Sequence, residues 1–238
     1  MLFNMTSLRK SIEKIKGHML EEVDLSSTVS DAFGLTKDDK LLDFAEIAHE
    51  IKTPLTTALY SIELIKGNNN LVKKIKISLE HIQSIVDNNP SLLKNNDIAK
   101  ICKEAAVISG ESERVIIKDM VKKRFIVNPK NVTRIKQIYI ILISNALKYS
   151  YDKSKVYINL YENENEIISE IISNGYIIEK KEWQKIFLRG RRLSNSIDKP
   201  GSGLGLSIAY RLSKKVNSKL KVLKSENDQT VFEFKIYT

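Results

Sequence analysis

The sequence predicts an α+β fold. An antiparallel helical hairpin forms a four-helix bundle by dimerisation, and an α/β sandwich follows, with a mixed sheet and helices on one face. Three observations predict this. Apolar residues between positions 41 and 86 recur at the spacing of helical seams. Beyond residue 95, short β-rich runs alternate with helix-length apolar stretches. Between the two regions lies "DNNP" (87–90), and the residue before a proline is disfavoured in helix. The chain accordingly divides into an N-terminal arm or short helix (1–36), a helical domain (37–93) and a sandwich domain (94–238).

The first seam runs Leu41, Phe44, Ala48, Ile51, Leu55, Ala58, Ile62, Ile65, alternating steps of three and four residues. "GNNN" (67–70) breaks it, and a second seam follows through Val72, Ile75, Leu79, Ile82 and Val86. A turn of this length makes the helices antiparallel, and a lone hairpin cannot bury both seams, so the pattern predicts a homodimer. Within the first helix, "AHEIKTPL" (48–55) sets His49 beside Glu50 and places Pro54 mid-helix. Proline there removes a hydrogen bond and clashes with the carbonyl four residues back, at a cost of about 3 kcal/mol. His49, next to seam residue Ala48, reaches the bundle surface, where it can meet another molecule. The other two histidines, His18 and His81, receive no role.

In the second half, "NNDIAKICKEAAVIS" (95–109) reads as a helix capped near Asn96 or Asp97. "RVIIKDM" (114–120) and "RFIVN" (124–128) read as strands. "VTRIKQIYIILISNALKYS" (132–150) is apolar over most of its circumference, as a buried helix should be. "SKVYINLYE" (154–162) and "NEIISEIIS" (165–173) form a hairpin through an Asn-containing turn, and "KLKVLKS" and "TVFEFKIY" supply two final strands. Helices packed on one face of such a sheet complete the sandwich.

With 238 residues, 42% hydrophobic and 29% charged, the composition is that of an ordinary globular protein. No apolar run approaches the roughly 18 residues of a membrane span, and the N-terminus lacks a signal-peptide core. A cytoplasmic location is therefore expected. Cys102 is the single cysteine, so an internal disulfide is excluded and a reducing compartment fits. The formal charge of +10, with clusters at 122–124, 189–192 and 211–221, would suit an acidic partner, a membrane surface or nucleic acid. No recognition helix or interleaving of aromatic and basic residues favours nucleic acid.

"PGSGLGLSIAYRLSKK" (200–215) places Gly201, Gly203 and Gly205 ahead of an amphipathic helix. Glycines let backbone N–H groups approach a ligand, and a helix N-terminus adds unpaired donors, so polyphosphate is the natural guest. A dinucleotide-binding βαβ unit is excluded, because the segment lies late in the chain and leads into a hairpin. The G-x-x-x-x-G-K-[ST] phosphate loop is absent.

Taken in order, these pieces resemble the transmitter core of sensor histidine kinases, a helical-hairpin dimer followed by a Bergerat-type ATP-binding domain, over residues ~40–238. "AHEIKTPL" resembles the phosphoacceptor box and "QIYIILISNALKYS" (137–150) the asparagine box. "ISNGYII" (172–178), "KIFLRGRR" (185–192) and "GSGLGLSIA" (201–209) fall where the first glycine, phenylalanine and second glycine boxes belong. The resemblance implies that His49 takes the γ-phosphoryl group of ATP, with Glu50 as general base, and passes it to an aspartate of a response-regulator receiver. Thr53 shares the face of His49 and would position water for dephosphorylation. It further implies Asn145 as the Mg²⁺ ligand, Lys148 on the phosphates and Tyr149 beside the base. Phe187 and Arg191 would belong to a mobile lid. Ser173, Gly175, Gly201, Gly203, Leu204 and Gly205 would form the two glycine-box contacts.

Three positions depart from the family pattern. Ser173 stands where relatives carry an aspartate, Ile177 replaces the second glycine of its box, and Ile141 replaces a polar residue one turn before Asn145. They keep a second expectation open, an ATP-impaired phosphotransfer or scaffold dimer, and a basic nucleic-acid-binding protein is the third. Nucleotide binding separates the first from the second, and steeply salt-sensitive binding would mark the third. The input signal would reach the chain through the N-terminal arm or a separate sensor protein.

Overall fold

A computed structural model describes residues 69–86, 97–122, 125–163, 165–193 and 203–237, together with Pro54 and Lys199. All of these belong to one compact unit, Glu50–Thr238. The first seam, His49, Glu50 and Thr53 lie outside the described residues. Pro54 is helical and buried, as the reading of a proline within a helix requires.

Helix α1 (Asn69–Val86) is followed by α2 (Ile98–Ile108), strand β1 (Val115–Asp119), α3 (Pro129–Tyr149), β2 (Val156–Asn163), β3 (Glu166–Asn174), α4 (Gly205–Lys215), β4 (Ser218–Glu226) and β5 (Gln229–Tyr237). The strands make one mixed sheet in the order β1-β2-β3-β5-β4, in which only the β1–β2 pair is parallel. Alternation decides the faces. Ile158 and Leu160 of β2, Ile167 and Ile171 of β3, and Phe232, Phe234 and Ile236 of β5 are buried in the core shared with the helices. Tyr139 of α3 packs edge-on to Phe234 at 5.5 Å and exchanges a hydroxyl hydrogen bond with Ser169 of β3. On the opposite face Tyr161 donates to Glu170, and Lys235 and Lys221 pair with Glu166 and Glu233.

Local chemistry explains the boundaries. Asp97 caps α2 by accepting from the Lys100 amide. Asn128 caps α3 by accepting from the Lys130 amide, and Pro129 takes the first helical position, where its missing N–H costs nothing. α3 therefore starts three residues earlier than the apolar pattern suggested.

Two expectations need correction. "RFIVN" is not a strand: Ile126 makes a single antiparallel bridge with Asp97, and no ladder extends from it. Its would-be partner turns at once into α2, and Asn128 turns into α3, so one rung is all the geometry allows. The break placed at 67–70 is narrower than expected, since Asn69 and Asn70 already belong to α1.

Helix α1 packs against α2 and α3, but not through its whole predicted seam. Ile75, Ser78 and His81 are buried, whereas Val72 is 52% exposed and Leu79 only half-buried. His81 lies half a turn round the helix from Val72. Its Nε2 meets the Gln137 side-chain oxygen at 3.1 Å. Burial first, then the nearby Lys136 charge, push the imidazole pKa down from 6.5 to about 3, with the Gln137 hydrogen bond opposing them. The ring is therefore neutral when α1 is docked.

A pH dependence follows. An undocked His81 titrates near 6.5, so below that pH the undocked state binds a proton the docked state refuses. Docking is at full strength above pH 6.5 and weakens from there down toward pH 3. At pH 5 the loss should be about 2 kcal/mol, at about 1.4 kcal/mol per unit. Amide hydrogen exchange of α1, corrected for intrinsic rates, should accelerate between pH 7 and pH 5, and His81→Gln should remove that difference.

Candidate functional site

A cleft with an empty volume of about 620 Å³ opens between the C-terminal half of α3, the sheet and the segment leading to α4. Helix α3 contributes Asn145, Ala146 and Tyr149, β3 contributes Ser173, and β5 contributes Thr230 and Phe232. Tyr176 and Ile178 follow β3, Ile186 and residues 191–193 form the rim, and Leu206 stands in the first turn of α4. The walls are aromatic and aliphatic. The polar side chains are Asn145 on α3, Ser173 and Thr230 on the sheet, Arg191 and Arg192 on the rim, and the phenols of Tyr149 and Tyr176. A flat, largely apolar molecule with an anionic tail matches that distribution.

Ser173 and Thr230 are direct register partners on neighbouring strands. Thr230 is committed to structure: its hydroxyl donates to the Tyr176 carbonyl at 3.1 Å and exchanges a 2.7 Å hydrogen bond with Ser225, which accepts from the Ile178 amide. Ser173 is 9% exposed, and its hydroxyl makes no hydrogen bond among the described residues. It remains available to a ligand as donor or acceptor.

Gly175 lets the chain cross the end of α3. A Cβ there would lie 2.1 Å from the Tyr149 carbonyl oxygen and 2.7 Å from the Ser150 Cα. The crossing is tied by Tyr176 N to Tyr149 O at 3.1 Å and Tyr151 N to Asn174 O at 2.8 Å. Gly203 does the same at the mouth. Its φ is +73°, and a Cβ would stand 2.8 Å from the Gly190 carbonyl carbon. The Gly190 amide donates to the Gly203 carbonyl at 3.2 Å, which fastens the rim to the approach of α4. At the start of α4, Leu204 occupies the cap position without a side-chain cap bond, and no acidic residue sits in the first turn. With no side-chain cap bond and no acidic group in it, the positive dipole end of that turn favours an anion.

The structure thus brings Asn145, Tyr149, Ser173 and Arg191 together on one cleft, with Gly175, Gly203, Leu204 and Gly205 shaping its edges. Lys148, expected on the phosphates, stands beside Tyr149. Its Nζ lies 4.7 Å from the ring centroid of Tyr149, and it does not line the cleft. Phe187 backs the wall, packed on Tyr210 at 5.2 Å and edge-on to Phe232 at 6.4 Å. Ile141 is part of the core, and Ile177 is half-buried. Gly201 lies outside the described residues. Sequence reasoning missed Thr230, which only strand register reveals, and Glu182, whose carboxylate binds Arg191 nine residues away.

Comparison with known families decides what this cleft belongs to. Residues 130–238 match "Histidine kinase-, DNA gyrase B-, and HSP90-like ATPase", and residues 43–91 match "His Kinase A (phospho-acceptor) domain". The chain carries a sensor histidine kinase transmitter core. Both of its halves are present, in the order the motifs predicted. The signal transduction histidine-protein kinase ArlS of Staphylococcus aureus is 27% identical, with 90% of this chain and 53% of ArlS covered. The chain thus spans about half the length of the curated relatives it matches. Among solved structures, full-length ShkA in complex with AMPPNP matches at a TM-score of 0.51 and 19% identity, covering 82% of this chain and 45% of that one. The mycobacterial sensor histidine kinase MprB matches at 0.48 and 20%, covering 59% and 94%.

The residues present fit a nucleotide. The open Ser173 hydroxyl, the apolar walls and the uncapped α4 turn supply a place for base, sugar and phosphates. No group of three His, Cys, Asp or Glu side chains able to hold a metal occurs among the described residues. A metal here would depend on ligand oxygens from the nucleotide.

Proposed function

We propose that this histidine kinase binds Mg-ATP in the α3–β3–α4 cleft, phosphorylates His49, and passes the phosphoryl group to an aspartate of a response-regulator receiver. The observation that carries this reading is the convergence of Asn145, Tyr149, Ser173 and Arg191 beneath the uncapped turn of α4. Tyr149 and Phe232 would flank the base and Ser173 would bond its edge. Arg191, Arg192 and the first amides of α4 would take the phosphates. Asn145 would supply one oxygen to Mg²⁺, which neutralises phosphate charge and orients the γ-phosphoryl group. Glu50 would hold the attacking nitrogen of His49 unprotonated. Thr53 would order water on the same helix face.

The domain limits that go with this reading are an arm to residue 36, a dimerising phosphoacceptor domain to 93 and the ATP domain beyond. Exposed Val72 and half-buried Leu79 support a homodimer, since α1 docks on its own ATP domain through Ile75, Ser78 and His81 and leaves part of the seam for a second copy. A cytoplasmic location accords with the described helices, none of which is long and apolar enough to cross a membrane.

The test is calorimetric titration of the full chain with AMP-PNP with and without Mg²⁺, then incubation with γ-labelled ATP. Mg-dependent micromolar binding and acid-labile label are expected. His49→Gln should abolish the label without changing nucleotide affinity, and Glu50→Gln should slow labelling by about 10²-fold or more. A second reading, a phosphotransfer or scaffold dimer that no longer uses ATP, is favoured by one observation. Ser173 offers a neutral hydroxyl where a carboxylate would make a bond about twice as strong. Absence of binding at millimolar nucleotide, with His49 still accepting phosphate from a phosphorylated receiver, would establish that reading instead.

A further inference from the structure

Arg191 lines the cleft, but its guanidinium is already held. Its Nε and Nη2 both donate to Oε2 of Glu182, at 3.2 and 2.6 Å. Nη1 makes no hydrogen bond among the described residues. Glu182 is only 8% exposed, unusual for a carboxylate unless it is paired. Its other oxygen faces Lys185 Nζ at 3.4 Å. The hydrogen bond from Arg191, more than any other cause, holds the Glu182 carboxyl below the usual carboxylate range, so it is charged at neutral pH.

Glu182 also sits on the firmest part of the rim. It ends the 3₁₀ turn Lys180–Glu182, and the next residue, Trp183, donates from Nε1 to the Ile178 carbonyl at 2.9 Å. A second 3₁₀ turn, Lys185–Phe187, is pinned by the stacking of Phe187 on Tyr210. Arg191, by contrast, follows the glycine at 190 and has 44% of its side chain exposed. A long side chain on such a segment would lose much rotamer freedom on meeting a phosphate, and one already fixed loses less. The arrangement has the form of a clamp, with a buried anion gripping one edge of the guanidinium through Nε and Nη2 and leaving Nη1 for another partner.

We propose that Glu182 is the positioning residue of the phosphate subsite, holding Arg191 so that Nη1 meets a phosphate oxygen of the bound nucleotide. This rests on the nucleotide reading of the cleft. It gives "RGRR" a division of labour: Arg191 is presented by a carboxylate, whereas Arg192 is tied to backbone through Nη2 and the Lys199 carbonyl.

The experiment compares Mg-AMP-PNP with adenosine, which carries no phosphate, on the full chain. Calorimetry reads the first, and competition against a fluorescent nucleotide reads the second. Glu182→Ala should weaken Mg-AMP-PNP about tenfold, the worth of one hydrogen bond to a charged group. Adenosine affinity should not change. Arg191→Ala should show the same loss, and the double variant no more than Arg191→Ala alone. Glu182→Gln keeps an acceptor without the charge, should fold if Glu182→Ala does not, and should lose part of the effect. Equal weakening of both ligands would overturn the proposal in favour of a purely structural role. Unchanged or tighter Mg-AMP-PNP binding would overturn it by making Glu182 a bystander or a competitor. A parent chain that binds adenosine and Mg-AMP-PNP keeps the nucleotide reading intact in either case, whereas a parent that binds neither overturns both.

Discussion

Glu104→Ala is expected to destabilise the ATP domain by about 3 kcal/mol, the low end of what removing one partner from a buried ion pair costs, since Lys136 is buried but Glu104 is 21% exposed. Lys136 lies in the middle of α3 with its side chain 2% exposed, and its ammonium meets Glu104 of α2 at 2.5 Å. Without the carboxylate that charge has no counter-ion in the pair, and water has little access to it. The charge lies close enough to His81 to depress its pKa, so the polar group that docks α1 would also feel the change. Denaturant unfolding of Glu104→Ala against the parent checks the magnitude. Lys136→Met in the same chain should recover most of the loss, because the double variant buries a well-packed apolar side chain instead of a lone cation. Should Glu104→Ala cost less than about 1 kcal/mol, the pair would rank with ordinary surface salt bridges.

The same region shows how far sequence alone reaches. The α+β architecture, the Asp97 cap of α2 and the β2–β3 hairpin were all legible, because each depends on residues close together in the chain. So were the cleft residues Asn145, Tyr149, Ser173 and Arg191, through motif order. The rotation of α1 was not. A seam of Val72, Ile75, Leu79, Ile82 and Val86 identifies a helix with an apolar stripe, but not which neighbour takes it. The decisive contact is between His81 and Gln137, 56 residues apart. A histidine facing away from an apolar stripe reads as solvated until its partner is known. "RFIVN" failed for a similar reason: β propensity is present, but no strand lies alongside to extend the Ile126 bridge. Thr230 and Glu182 depend on register and on the fold of the rim, neither of which local composition encodes.

Gly175→Ala should have the most severe effect on the cleft itself. The glycine is required here by space, not by φ, since the added methyl would meet backbone on its near side: the Tyr149 carbonyl oxygen at 2.1 Å, with Ser150 Cα and Tyr149 C at 2.7 and 3.0 Å. A flexible side chain could turn away, but the end of α3 cannot. The Asn174 carbonyl accepts from Tyr151, and the Gly175 amide donates to the Asp228 carbonyl at 2.7 Å, so the strand is tied on both sides of the collision. Relief requires α3 and β3 to part by an ångström or more. Asn145 and Tyr149 lie on one side of that opening, Ser173 and Tyr176 on the other, and all four line the cleft. The stability cost should reach the top of the overpacking range, about 3 kcal/mol. Nucleotide affinity should fall further than overall stability explains, because the site depends on the distance between these two elements. Thermal unfolding and Mg-AMP-PNP calorimetry on the same sample separate the two effects. A folded Gly175→Ala chain with parental affinity would mean that base and sugar do not bridge α3 and β3, and the nucleotide would then have to be held by the rim and α4 alone.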